Sequence, residues 1–147
     1  MEYPVLEETN IIARNSDKPV FSYIFNYDGW RNIVKRMNPR KEFINVTGAT
    51  HADDLFYLFS QQIIPTLFES DIINKMTTLW TNFAKYGDPT PSSSELLPIR
   101  WPPAAKEEEH RKTFLIDQNI NIIPQPKKQS LALWRTVYSK YRRKITS

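Results

Sequence analysis

Gly48-Ala49-Thr50-His51-Ala52-Asp53-Asp54-Leu55-Phe56-Tyr57-Leu58-Phe59 sets a histidine on a glycine-led turn just ahead of an acid-started aromatic run. Histidine is the side chain whose ordinary pKa lies near neutrality, so it can take a proton from a nucleophile and return it to a leaving group. The turn led by Gly48 keeps the His51 ring outside regular structure. Asp53 and Asp54 stand at the start of a predicted short helix, where carboxylates accept from unpaired backbone N–H groups and meet the positive end of the helix dipole. His51 is therefore a candidate proton-transfer base. Asp54 either orients the loop that carries it or serves only as a helix cap. A lone histidine beside aromatics also fits a packed or surface residue, and the chemistry of the segment alone leaves both readings open.

Working outward, Ile44 to Thr47 reads as extended chain delivering the backbone to Gly48. Val20 to Phe25 is rich in β-branched and aromatic residues behind Pro19 and ahead of Asp28-Gly29, the pattern of a buried strand closed by a turn. Arg31 to Arg40 is basic and ends at Asn38-Pro39, which predicts a surface loop or a ragged helical turn. From Ser70 the period changes: Ile72, Ile73, Met76, Leu79, Trp80 and Phe83 fall at helical spacings, and Gly87 stands as a stop. A Pro- and Ser-rich loop follows from Asp88 to Pro103, then a charged stretch from Lys106 to Lys112 and a short strand at Phe114-Leu115-Ile116. Leu131, Trp134, Val137, Tyr138 and Tyr141 make an apolar stripe on a final helix with a cationic opposite face. The strand, the helix from Ile72 to Tyr86 and the final helix are expected to pack on one sheet.

The wording of these segments carries a resemblance. Gly48 to Phe59 resembles the catalytic-histidine region of the type-B carboxylesterase family, insect-like carboxylesterases and juvenile hormone esterases in particular. Leu79-Trp80-Thr81-Asn82-Phe83-Ala84-Lys85-Tyr86-Gly87-Asp88-Pro89-Thr90-Pro91 is similar to the family's W-x-x-F-A-x-x-G-x-P-x-P block. Arg100-Trp101-Pro102-Pro103 is similar to its later W-P, and Phe114 to Asp117 to the strand that follows. The blocks stand in the family's order from about Pro19 to Tyr141.

The resemblance implies an α/β fold, the C-terminal part of an α/β-hydrolase with an incomplete central sheet and packed helices. Residues 1–147 would be the C-terminal portion of the domain. It implies carboxylic ester hydrolysis by a Ser-Glu/Asp-His triad in which His51 is the catalytic histidine, with Gly48 and Asp54 supporting its loop. Such enzymes carry the nucleophile on a G-x-S-x-G elbow and run serine, acid, histidine along the chain. The three glycines here, Gly29, Gly48 and Gly87, form no such elbow, so the chain alone is expected to be inactive. No cofactor and no metal is implied, and the substrate would be a small-molecule carboxylic ester with substantial apolar groups. A second reading is an esterase-like adhesion or protein-interaction domain, since the fold also occurs in relatives that bind partners without the triad.

Composition sets the remaining bounds. With 40% hydrophobic and 24% charged residues the 147-residue chain matches one globular domain. Eleven prolines predict short elements with irregular connections. A sheet lacking its neighbours would leave apolar surface open and favour self-association. Without cysteine there is no disulfide frame or thiolate metal site. No stretch approaches the ~18 apolar residues of a membrane span, and Met1 to Glu7 lacks the apolar core of a signal peptide. The net charge of +4 is small and spread over several loops, and no nucleic-acid motif appears. Asn45-Val46-Thr47 is a glycosylation sequon, expected to be buried ahead of the histidine turn. Phe56, Tyr57 and Phe59 read as core before acyl-pocket lining. His110, among Glu107, Glu108, Glu109 and basic neighbours, reads as a solvated surface residue.

Overall fold

Tyr23-Ile24-Phe25, whose side chains suit a pleated half-buried surface, form strand β1 in the computed structural model, which describes residues 2–37, 42, 45–59, 69–126 and 128–141. Strand β2 (Lys112–Ile116) lies parallel to β1 with Tyr23 opposite Phe114 and Phe25 opposite Ile116. Strand β3 (Asn121–Pro124) turns back antiparallel on β2. The sheet order is β1-β2-β3. Parallel strands need a crossover between them, and here it carries helix α2 (Ile33–Met37), helix α3 (Leu55–Leu58) and helix α4 (Ser70–Tyr86). Helix α1 (Glu2–Asn15) precedes β1, and helix α5 (Lys128–Tyr141) follows β3.

Helix α4 positions the core. Ile72, Met76 and Leu79 recur at i, i+4 and i+7 and are buried together with Leu97, Trp101, Phe114, Ile116, Ile120 and Tyr57. The helix stops where Gly87 adopts φ 67°, and its N–H donates to the Phe83 carbonyl at 2.8 Å. That is the left-handed glycine cap the sequence signals. Trp101 lies flat on Phe114, ring centroids 4.3 Å apart and planes 2° apart, and its indole N–H donates to the Ser22 carbonyl at 3.2 Å. This stacking locks the proline-rich loop onto both parallel strands.

Several expectations need correction. The strand read over Val20 to Phe25 is regular only from Tyr23. Asn45 and Val46 form turn and bend, Thr47 is irregular, and Ile44 lies outside the described residues. Of the two readings of the basic run from Arg31, the short helical turn holds, as α2, but it is not solvated as a surface loop would be, for Arg31 and Lys35 are buried. Residues 38–40 lie outside the described set. Helix α1 and strand β3 add two elements beyond those the sequence pattern predicts. Helix α5 exists as read, but it pairs with α1: Tyr3 stacks on Tyr138 at 5.0 Å, and Arg135 binds Glu7 and Glu108. Leu131 is buried, whereas Trp134 and Tyr138 meet Tyr3 of α1 on one side and stay partly exposed, and Tyr141 is exposed.

Candidate active site

The turn that carries His51 is bracketed by two left-handed residues. Gly48 has φ 102°, and Ala52, the one non-glycine with positive φ among the described residues, has φ 69°. A Cβ-bearing residue in this region costs about 1–3 kcal/mol and persists only where its surroundings hold it. The surroundings here are explicit. Asp53 is fully buried, and one of its oxygens accepts from the Thr50 N–H at 2.7 Å and the Thr50 hydroxyl at 2.8 Å. The other accepts from the N–H groups of Val34 at 3.1 Å and Lys35 at 3.4 Å. These are first-turn amides of α2 that no intrahelical carbonyl reaches, so a carboxylate from the histidine loop caps a helix earlier in the chain.

Asp54 occupies the residue before α3 but makes no side-chain cap. Its carboxylate accepts from the Tyr23 hydroxyl at 2.6 Å, which ties the end of the turn to β1. Gly48 is held from the opposite side. Its N–H donates to Asp28 Oδ2 at 3.0 Å, and its carbonyl accepts from Lys35 Nζ at 3.1 Å. Lys35 Nζ lies 2.8 Å from both Asp28 oxygens. The His51 side chain itself is exposed, and no hydrogen bond to its ring is formed among the described residues. Both neighbouring carboxylates are thus engaged elsewhere, which leaves the ring open to partners outside this loop.

Other candidate residues separate cleanly. Tyr57 is core and donates its hydroxyl to Asn32 at 2.7 Å, Phe56 is half-buried, and Phe59 is exposed. Asn45 and Thr47 are exposed, so the sequon is open to solvent in this chain, contrary to the burial expected for it. His110 sits exposed in a short 3-10 turn (Glu108–His110). Among the described residues no group of three or more His, Asp or Glu side chains is placed to hold a metal. Sequence reasoning missed Tyr23, Asp28 and Lys35 as parts of this loop and credited Asp53 only with starting a helix. Their partners lie far along the chain, and only the fold brings them together.

Burial first, and then the hydrogen bond to Asp54, push the Tyr23 hydroxyl well above its usual range, and burial followed by the Glu69 charge does the same to Tyr57. The unfolded chain therefore releases these protons first. Their contribution to stability is complete below about pH 10 and is lost as pH rises above it. Alkaline titration should show phenolate absorbance from both residues appearing together with loss of helical circular dichroism. Ionisation of Tyr23 at its ordinary value in a still-folded chain would contradict the Asp54 contact.

Comparison with known proteins bears on this geometry. The model of a family described as the carboxylesterase family matches residues 1–134. Juvenile hormone esterase of Tribolium castaneum is 35% identical over 97 residues, which is 60% of this chain and 16% of that protein. Bile salt-activated lipase of Rattus norvegicus is 39% identical over 99 residues, 65% of this chain and 14% of that protein. The crystal structure of juvenile hormone esterase from Manduca sexta, with OTFP covalently attached, superposes with a TM-score of 0.73 at 22% identity, covering 95% of this chain and 26% of that one. That last likeness is one of fold, an α/β-hydrolase. The chain spans only a minor part of the length of each of these proteins.

Proposed function

This chain belongs to the carboxylesterase family, and from that membership we propose that it contributes the histidine base of a serine ester hydrolase, with His51 in that role. The serine and the acid of the triad belong, on this reading, to a portion of the domain outside these 147 residues. In the completed site the serine hydroxyl attacks the ester carbonyl while His51 takes its proton, and backbone N–H groups hold the oxyanion. His51 then gives the proton to the departing alcohol. A water, deprotonated by the same ring, attacks the acyl-enzyme, and the ring returns that proton to the serine oxygen as the acid leaves. The substrates are carboxylic esters with sizeable apolar groups.

The observation that carries this reading is the contrast between the ring and its support. His51 is exposed and unengaged among the described residues, on a turn whose left-handed Ala52 is fixed by the fully buried Asp53. Backbone strain held in place beside a side chain with no internal partner is a mark of a functional loop. Asp53 and Asp54 are both committed to other donors, which supports a triad acid supplied from elsewhere.

The 147-residue chain alone should hydrolyse p-nitrophenyl acetate no faster than free imidazole at equal concentration. Joined to the nucleophile-bearing portion of a carboxylesterase domain, it should restore turnover and labelling by a fluorophosphonate. Saturable turnover by the chain alone that disappears in His51→Ala would refute this division of the triad.

A further inference from the structure

The two polar groups of one peptide backbone residue, Gly48, are both captured by a single ion pair. Its N–H meets the Asp28 carboxylate at 3.0 Å, its carbonyl meets the Lys35 ammonium at 3.1 Å, and the two charges meet each other at 2.8 Å. Lys35 is buried to 7% side-chain exposure, whereas Asp28 keeps 38%. A lysine is rarely taken out of water unless its donors are satisfied, and here three acceptor atoms surround it. Two carboxylate oxygens and the Gly48 carbonyl match the three donors of an ammonium. Gly48 cannot be replaced cheaply, because its φ of 102° disfavours a side chain and a Cβ would stand 3.1 Å from Asn26 Oδ1.

The second anchor of the loop returns to the same place. Asp53 accepts from the backbone N–H of Lys35 and of Val34, and Arg31 donates to the Phe56 carbonyl at 3.1 Å. Both sides of His51, three residues before it and two after it, are thus fastened to the first turn of α2. A five-residue helix has little stability of its own, so α2 and the histidine turn hold each other through these bonds.

We infer that Lys35, paired with Asp28, is a positioning residue for His51, fixing the Gly48 backbone so that the turn presents the ring in one orientation. The catalytic part of this assignment rests on the proposed role of His51, and the structural part does not. Loss of the ion pair frees the Gly48 peptide and lets the ring sample other directions, which lowers the fraction of productive geometry without touching substrate binding.

Amide hydrogen exchange on the 147-residue chain tests the structural part. In the wild type the Gly48 and Thr50 amides should be protected. In Lys35→Met both should exchange at least about tenfold faster, with Leu79 in α4 unchanged. Asp28→Asn, at the more exposed partner, keeps the shape of the side chain and should accelerate Gly48 alone if Lys35→Met unfolds the chain. An unprotected Gly48 in the wild type, or unchanged exchange in Asp28→Asn, overturns the clamp. In the enzyme completed with its nucleophile-bearing portion, Asp28→Asn should lower kcat with KM unaltered. An equal rise in KM, or no change in kcat, overturns the positioning role. If instead His51→Gln leaves acylation intact while Gly48 exchange responds as described, the assignment of the base fails and the clamp stands.

Discussion

His51→Gln, introduced into the enzyme completed with its nucleophile-bearing portion, is expected to lower the acylation rate by at least about 10²–10⁴-fold, the usual contribution of a positioned acid–base group. The reasoning begins from what else could move the proton. The turn offers Asp53 and Asp54, but the first is saturated by four donors and the second holds the Tyr23 hydroxyl. Neither is free to replace the imidazole. Folding should be almost untouched, because the His51 side chain is exposed and bonds to nothing described, so its removal opens no cavity and strands no partner. The measurement is burst kinetics with a p-nitrophenyl ester beside a denaturation curve for the same variant. Acylation within a few-fold of wild type would make His51 a structural residue and leave the family likeness describing a fold without its mechanism.

Part of this site was legible in the sequence because its physics is local. The glycine-led turn needs only Gly48 and its φ of 102°, and α4 announces itself through six apolar residues at helical spacing closed by Gly87. The hidden parts have non-local causes. Arg31 and Lys35 are read as solvent-facing because charge is usually solvated. They are buried here because Glu69, the Phe56 carbonyl, Asp28 and Gly48 await them from other segments. Asp53 sits at the start of a helix, as its type suggests, yet it caps a different one, 18 to 19 residues back in the chain. Helix α1 gives no clean amphipathic signal because the apolar residues Val5, Ile11 and Ile12 stand on its exposed side, which blurs the apolar stripe. Strand β3 ends on Pro124, which tolerates only an edge position in a ladder. The partner of α5 was likewise unreadable without α1.

Trp101→Ala is expected to cost about 3–5 kcal/mol, the range for removing a large aromatic from a core, out of a total that is only about 5–15 kcal/mol for a domain. The size follows from the position of the ring. Trp101 is 5% exposed, lies flat on Phe114, and has its edge contacts with Phe21 and Tyr23 at centroid distances of 6.0 and 5.8 Å. Its backbone N–H donates to Thr90 Oγ1 at 2.9 Å and its indole to Ser22, so one residue joins the loop after α4 to both parallel strands. Trp101→Phe keeps a ring against Phe114 and loses the indole bond and some volume, and its cost should be smaller, about 1–3 kcal/mol. Urea midpoints of the two variants test the order. Equal losses would mean that the Ser22 bond, and not the stacking, carries the stability. The consequence reaches the candidate site through Tyr23, which packs on Trp101 with one part of its ring and holds Asp54 with its hydroxyl. A cavity at Trp101 lets that tyrosine move, and the far end of the histidine turn moves with it. The tryptophan is therefore expected to affect catalysis in the completed enzyme by loosening the base it never touches. The Phe variant should retain more of that activity than the Ala variant when both are assayed well below their unfolding midpoints.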